Sequence, residues 1–186
     1  MKAPARALLS ALLLCSAGLL AGCGTPSQSL YMSVKPGDAL QLRGFMPAPL
    51  RGQVGLAPAA GGAETGRLWG SKISDLALEH ALEDSLRAVG LWAMTPQEAR
   101  YELKAQLVSL VQPLLSLNTT VAATVHYTLV EKTSGALLYQ RSVRAAYKAE
   151  FSEAIVSQPE RLKLANEGAI RATTEIMLRD LPNLRF

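Results

Sequence analysis

The order of apolar and polar positions marks two helical and three strand-like stretches in the C-terminal two-thirds of the chain, with a shorter strand ahead of them. Between 74 and 90, Leu78, Ala81, Leu82, Ser85, Leu86 and Val89 recur every three or four residues, and Glu79, Glu83, Asp84 and Arg87 fill the other face. That spacing predicts an amphipathic helix with its stripe turned to a core. Ser74 is placed to cap it, Asp75 suits its first turn, Gly90 suits a left-handed stop, and Glu83 and Arg87 are spaced as an i,i+4 pair. From 100 to 113 the period becomes two. Tyr101, Leu103, Ala105, Leu107 and Val111 are expected inward and Glu102, Lys104 and Gln106 outward, with Val108 and Leu110 interrupting the polar face. Alternation resumes from 118 to 131, where Val121, Ala123, Val125, Tyr127 and Leu129 oppose Thr120, Thr124, His126 and Thr128.

A tight turn over residues 132–135, with Gly135 left-handed, leads into a return strand. There Leu137, Tyr139, Val143 and Tyr147 are the inward set, opposite Gln140, Ser142, Arg144 and Lys148. Arg141 falls in register with the apolar set, so it sits at the rim, pairs with a carboxylate or marks a bulge; the rim is the favoured reading. Ser157 and Glu160 then have capping-box spacing, with Pro159 in the first turn. Leu162, Ala165, Ala169, Ala172, Thr173, Ile176 and Met177 form the stripe of a helix ending near Leu181, before Pro182. Glycine inside a helix costs ~1 kcal/mol relative to alanine, so Gly168 is read as a point of close packing, with a helix-dimer interface as the alternative.

Residues 53–57 read as the short leading strand, followed by a loop holding Gly61, Gly62 and Gly66. The glycine spacing fits neither a P-loop nor a dinucleotide fingerprint. The element order is therefore β-α-β-β-β-α. It predicts an α+β fold in which an antiparallel sheet of about four strands carries two helices on one face.

The N-terminal end has a different layout. Lys2 and Arg6 precede an apolar run, small residues follow, and the whole has the form of a secretory signal. At its end Leu20, Ala21, Gly22 and Cys23 resemble a bacterial lipobox. That resemblance implies cleavage before Cys23, a diacylglycerol on its sulfur and a further acyl chain, such as palmitate, on its amine. Gly24 in place of an aspartate implies, by likeness to Gram-negative lipoproteins, sorting to the periplasmic face of the outer membrane. The expected organisation is a signal peptide over 1–22, a lipidated N-terminus, linker and apolar arm over 23–50, and a single α+β domain over 51–186. Leu30, Tyr31, Met32, Val34, Leu40, Leu42 and Phe45 are too apolar for a free tether. Residues 30–50 are expected to be an extended arm, packed on the domain or alternatively on a partner.

Removing the leader leaves 164 of the 186 residues, enough for one domain. The 49% hydrophobic content is raised by the leader, and no later stretch approaches the ~18–20 apolar residues of a membrane-spanning helix. Two positive charges leave with the leader, so the net charge falls from +4 to +2, which argues against a nucleic-acid partner. Cys15 lies in the leader and Cys23 is the lipid site, so no disulfide staples the domain and apolar burial, at roughly 25 cal/mol per Å², must hold it.

Chemistry is sparse. His80 lies near the polar side of its helix, and His126 sits on a threonine face without Cys, Asp or Glu at ligand spacing, so no metal or cofactor is expected. No Gly-x-Ser-x-Gly elbow occurs, and Glu79, Glu83 and Asp84 lie on a solvated helix face, so an enzyme is not expected. Asn118, Thr119 and Thr120 match a glycosylation acceptor that has little meaning in a bacterial lipoprotein. The threonine face with Lys104, Arg144 and Lys148 is a candidate surface for a lipid or polysaccharide.

Ser71, Lys72, Ile73 and Ser74 leading into Ala81, Leu82, Ser85 and Leu86, together with RLKLANEGAIR over 161–171, resemble a family of proteobacterial lipoproteins. The resemblance implies a fold and a compartment, and its motifs are helix starts and packing faces. The element order is also similar to small envelope lipoproteins that stack helices on a sheet, including the lipopolysaccharide-transport lipoprotein. The function expected is a noncatalytic accessory or scaffold held to the outer membrane by its lipid, with an envelope protein as partner. A lipid- or polysaccharide-binding lipoprotein is the alternative.

Overall fold

The computed structural model describes residues 26–65, 71–113, 119–154 and 157–186. Leu20, Ala21, Gly22 and Cys23, like Gly66 and Asn118, lie outside the described residues. The chain forms α1 (Ser29–Met32), α2 (Pro36–Arg43), β1 (Val54–Leu56), α3 (Asp75–Ala88), β2 (Tyr101–Val111), β3 (Thr119–Glu131), β4 (Leu137–Ala149) and α4 (Gln158–Asp180), with short 3-10 turns between. The α+β class and the four strands match the expectation, in the order β1-β2-β3-β4.

The sheet is mixed rather than antiparallel. β2, β3 and β4 run antiparallel, but β1 is parallel to β2, with Val54 beside Tyr101 and Leu56 beside Leu103. The connection explains the difference. β1 and β2 are joined through α3, and a helical crossover carries the chain back so that the next strand starts at the same end. β3 and β4 are joined by a tight turn with Gly135 at φ 71°, which can only reverse direction.

α3 follows its pattern. The Ser74 hydroxyl accepts the Ala77 N–H at 3.2 Å, Gly90 turns at φ 77°, and Leu78, Ala81, Leu82, Ser85, Leu86 and Val89 are all buried. Arg87 meets Glu83 at 2.5 Å across an exposed helix turn, and His80 is exposed.

Both expected strand faces shift at one point. In β2 an irregularity between Leu107 and Ser109 makes Val108 an extra residue. A one-residue slip exchanges the two faces beyond it, so Leu110 packs on the core while Val111, expected inward, is exposed. In β4 the register shifts where Leu129 and Val130 pair with Tyr139 and Leu137. Leu138 then packs against the core and Leu137 is exposed, again contrary to the simple alternation. Arg141 stays in register and pairs with Asp180 at 2.7 Å, so the carboxylate reading replaces the rim. Tyr139 donates its hydroxyl to the same oxygen at 2.6 Å. The two donors offset a negative charge at the helix C-terminus, where the dipole disfavours it.

Residues 30–50 are not extended. They coil into α1 and α2, and Met32, Val34, Ala39, Met46 and Leu50 join the same core cluster as the sheet and helices. α1 lies against both α3 and α4, and α2 against α3. The Val34 N–H also donates to the Ser85 hydroxyl at 3.1 Å. The result is three layers: sheet, the α3 and α4 pair, and the arm outside.

α4 is consequently enclosed on two sides, with residues 165–170 buried without a break. Ser157 caps it by accepting the Glu160 N–H at 3.3 Å, while the Glu160 carboxylate pairs with Lys163 at 3.1 Å. On the sheet side, a Cβ at Gly168 would fall well inside contact distance of the Tyr147 ring. Close packing of this helix on β4 is what the glycine permits. Gly168→Ala should therefore lower stability by about 1–2 kcal/mol in urea unfolding, because overpacking outweighs the gain in helix propensity. With Tyr147→Ala in the same chain, the change at 168 should become neutral or stabilising.

Candidate functional site

The basic set expected on the outer sheet face shares that face without converging. Lys104 lies beside Thr128, Arg144 beside Thr124 and Lys148 beside Thr120, so successive cations are four residues apart along β3. Four strand residues span about 13 Å. Lys104 is held by Glu102 at 3.5 Å and Lys148 by Glu150 at 2.9 Å. One anion therefore cannot engage all three.

The face assembles a different group around His126. Its Nδ1 lies 2.9 Å from the Ser142 hydroxyl and its Nε2 lies 3.2 Å from the Gln140 amide nitrogen. With Gln140 donating, Nε2 supplies the lone pair and Nδ1 carries the proton toward Ser142. Both ring nitrogens are thereby engaged. Beside them, His126, Thr128, Lys104 and Gln106 border an open depression of about 370 Å³ against Ala57, Pro58 and Ala60. Among the described residues no three of His, Cys, Asp and Glu come together as a metal site would require, and no helix is long and apolar enough to cross a membrane.

A second polar cluster lies where the described chain begins, and the residue pattern gave no expectation of it. The Ser27 N–H donates to the Lys72 carbonyl at 3.4 Å and its hydroxyl lies 3.2 Å from that of Ser71. The Gln28 N–H donates to the Glu167 Oε1 at 2.8 Å. Behind them, the Asn166 amide donates to the Ser71 carbonyl at 3.0 Å, and Gln112 donates both to that carbonyl and to the Asn166 Oδ1 at 2.8 Å. One turn on, the Arg171 guanidinium donates to the Tyr31 carbonyl at 2.6 Å, and the Lys163 ammonium stands 5.8 Å from the Tyr31 ring centre.

Lys163, Glu167 and Arg171 are thus an i, i+4, i+8 row on the outer side of α4, used to grip the arm. The row was visible in the sequence, but charges at that spacing ordinarily mean a solvated face. Here the arm covers Lys163 and Glu167 and takes the half-exposed Arg171 at its edge. Glu167 is 1% exposed and its Oε2 has no hydrogen-bond partner. Burial pushes its carboxyl above the ordinary range, while the Gln28 N–H and the Lys163 charge pull it part of the way back. On the sheet side of the same helix, burial raises the Tyr127 hydroxyl to about 12, and it bonds Thr173 and Thr174 at 3.0 and 3.3 Å.

With the fold and these clusters defined, the chain can be set beside known proteins. A scan of family models and a search of curated proteins find no match. Among solved structures, it is similar to the DUF330 protein of Xanthomonas campestris, with a TM-score of 0.51, 13% identity, and coverage of 73% of this chain and 89% of that one. This likeness shows a shared fold. The chain is also similar to a minor lipoprotein from Acinetobacter baumannii, at 17% identity and a TM-score of 0.45 over 73% of this chain and 96% of that one. PelC from Paraburkholderia phytofirmans follows at 15% identity and a TM-score of 0.42, covering 68% and 90%.

The cluster at the chain entry makes a pH-dependent prediction. A carboxyl raised on folding costs stability wherever the folded protein must ionise it; the cost is absent below the unfolded value near ~4.3 and grows as pH rises through the folded value. Glu167→Gln should therefore gain about 1 kcal/mol at pH 7, seen as about 2–4 °C in calorimetric Tm, and the gain should shrink toward pH 4. Asn166→Ala, which strips the Ser71 carbonyl and Gln112 of a partner, should instead lose about 2 kcal/mol at both pH values.

Proposed function

We propose that this chain is a noncatalytic lipoprotein, anchored through Cys23 to the periplasmic face of the outer membrane, where it holds a protein partner in a cell-envelope assembly. The observation that carries the reading is the position of Cys23 relative to the fold. The lipobox-like Leu20, Ala21, Gly22 and Cys23 end the leader, and the folded unit takes hold of the chain at Ser27 and Gln28, four and five residues later. Such a short connection supports a domain held close against its membrane rather than one that roams from it.

The site chemistry supports binding over catalysis. The His126 ring is occupied on both nitrogens by neutral partners, and the buried carboxylate of Glu167 is enclosed and spent on the backbone of Gln28. A second reading, a glycan or lipid binder, draws support from the depression beside His126, where Lys104, Gln106 and Thr128 stand over Ala57, Pro58 and Ala60. Native mass spectrometry separates the two: a copurifying glycan or lipid favours the second reading, and a stoichiometric envelope protein recovered by crosslinking in intact cells favours the first.

The anchor itself is tested by substitution. Cys23→Ser should leave the leader uncleaved and shift the protein out of the outer-membrane fraction, with the far-UV circular dichroism of the folded unit unchanged. A Cys23→Ser protein that is still processed and still fractionates with the outer membrane would refute the anchor.

A further inference from the structure

The arm is the outermost of the three layers, and it keeps an apolar surface on its free side. Met32, Val34, Ala39 and Met46 are buried against the helices, whereas Leu30, Tyr31, Leu40 and Phe45 are 71%, 50%, 70% and 72% exposed. Among the described residues, these are four of the ten large apolar side chains left exposed, gathered within 16 residues. Several exposed large apolar side chains on one short segment make it a candidate contact site.

Charge and chain length say what covers it. The arm carries Lys35 and Arg43 against one carboxylate, Asp38, Arg51 follows directly after it, and the three cations are exposed. Cys23 lies three residue steps before Pro26, the first described residue, and an extended chain covers at most about 11 Å in three steps. The headgroup layer on each side of a bilayer is roughly 5–8 Å thick. A cysteine acylated at the hydrocarbon boundary therefore brings Pro26 to the headgroup layer or just above it. Leu30 and Tyr31 follow within five residues, already fixed to α4 through Gln28 and Tyr31. A folded unit clamped this close to its lipid has to lay some face on the membrane, and the arm that begins at the clamp has exposed apolar and basic residues along it. Exposed apolar side chains gain by burying in the headgroup boundary, and basic residues beside them add attraction to anionic lipids.

We propose that the outer side of the arm, led by Leu30, Tyr31, Leu40 and Phe45, seats in the headgroup layer of the anionic phospholipid surface that carries the anchor. This rests on the lipoprotein reading above. The seat fixes the domain's orientation: the arm faces the lipid, and the open sheet face with His126 is turned away from it.

The test uses the full chain, expressed with its leader and reconstituted in vesicles of phosphatidylethanolamine and phosphatidylglycerol at 3:1. Cys15 leaves with the leader and Cys23 is acylated, so a single introduced cysteine takes an environment-sensitive fluorophore. Leu30→Cys and, separately, Phe45→Cys report on the arm; Ala146→Cys reports on the outer sheet face, where Ala146 is exposed. Nitroxide-bearing lipids should quench the labels at 30 and 45 at least twofold more than the label at 146, and replacing phosphatidylglycerol by phosphatidylcholine should reduce that difference. Equal quenching at all three positions overturns the proposal, as does protection of the arm by a bound protein without quenching. Intact-mass analysis keeps the two ideas apart. Unacylated product defeats the lipoprotein reading and the seat with it, whereas acylated product with equal quenching defeats the seat alone.

Discussion

A helix enclosed between two layers has to find partners for its polar groups inside the protein, and α4 does so along its buried middle, the Glu167 Oε2 excepted. Its middle residues have no water to turn to. Toward the sheet, Thr173 and Thr174 meet the Tyr127 hydroxyl; toward the arm, Asn166 and Glu167 meet Ser71, Gln112 and Gln28. A buried polar group left unmet costs about 1–3 kcal/mol, enough to decide between packings that bury similar apolar area. The arm is therefore specified as much by where it offers backbone donors and carbonyls as by Met32 or Leu50. Its apolar residues supply the drive to collapse, and the polar row on α4 supplies the register.

The elements themselves were legible because helix and strand periods are local. The stripe of α3, its Ser74 cap and the inward set of β3 followed from spacing alone, since each depends on neighbours within a few residues. What escaped the pattern was non-local. Val111 and Leu137 turned outward because single-residue irregularities invert the alternation, and nothing in a strand of valines and leucines says where the extra residue falls. The parallel pairing of β1 depended on which way the α3 crossover returned. The row of Lys163, Glu167 and Arg171 looked solvated because the segment that covers it lies more than a hundred residues upstream. Arg141 announced itself as an exception, and its partner, Asp180, lay 39 positions away at the end of another element. The lipobox-like stretch was readable as sequence and has no counterpart among the described residues.

The same division bears on function. The candidate cations on the sheet are dispersed along it. What the fold provides is geometry: a chain gripped immediately after its proposed anchor point, and a broad hydroxyl- and amide-bearing sheet face on the opposite side of the molecule. In the proposed reading these two surfaces divide the labour between holding a position and meeting a partner.

The arm also constrains the order of folding. Its closing contacts join Gln28 to Glu167 and Tyr31 to Arg171, 139 and 140 residues apart, and contacts of such separation form late because the loop entropy must be lost before they reward it. The β3 and β4 hairpin, by contrast, closes over a handful of residues. Until α4 has been synthesised and has docked on that hairpin, the N-terminal segment can form only its contacts with α3, and its second seat is missing. A chain built this way postpones its final compaction to its last few dozen residues.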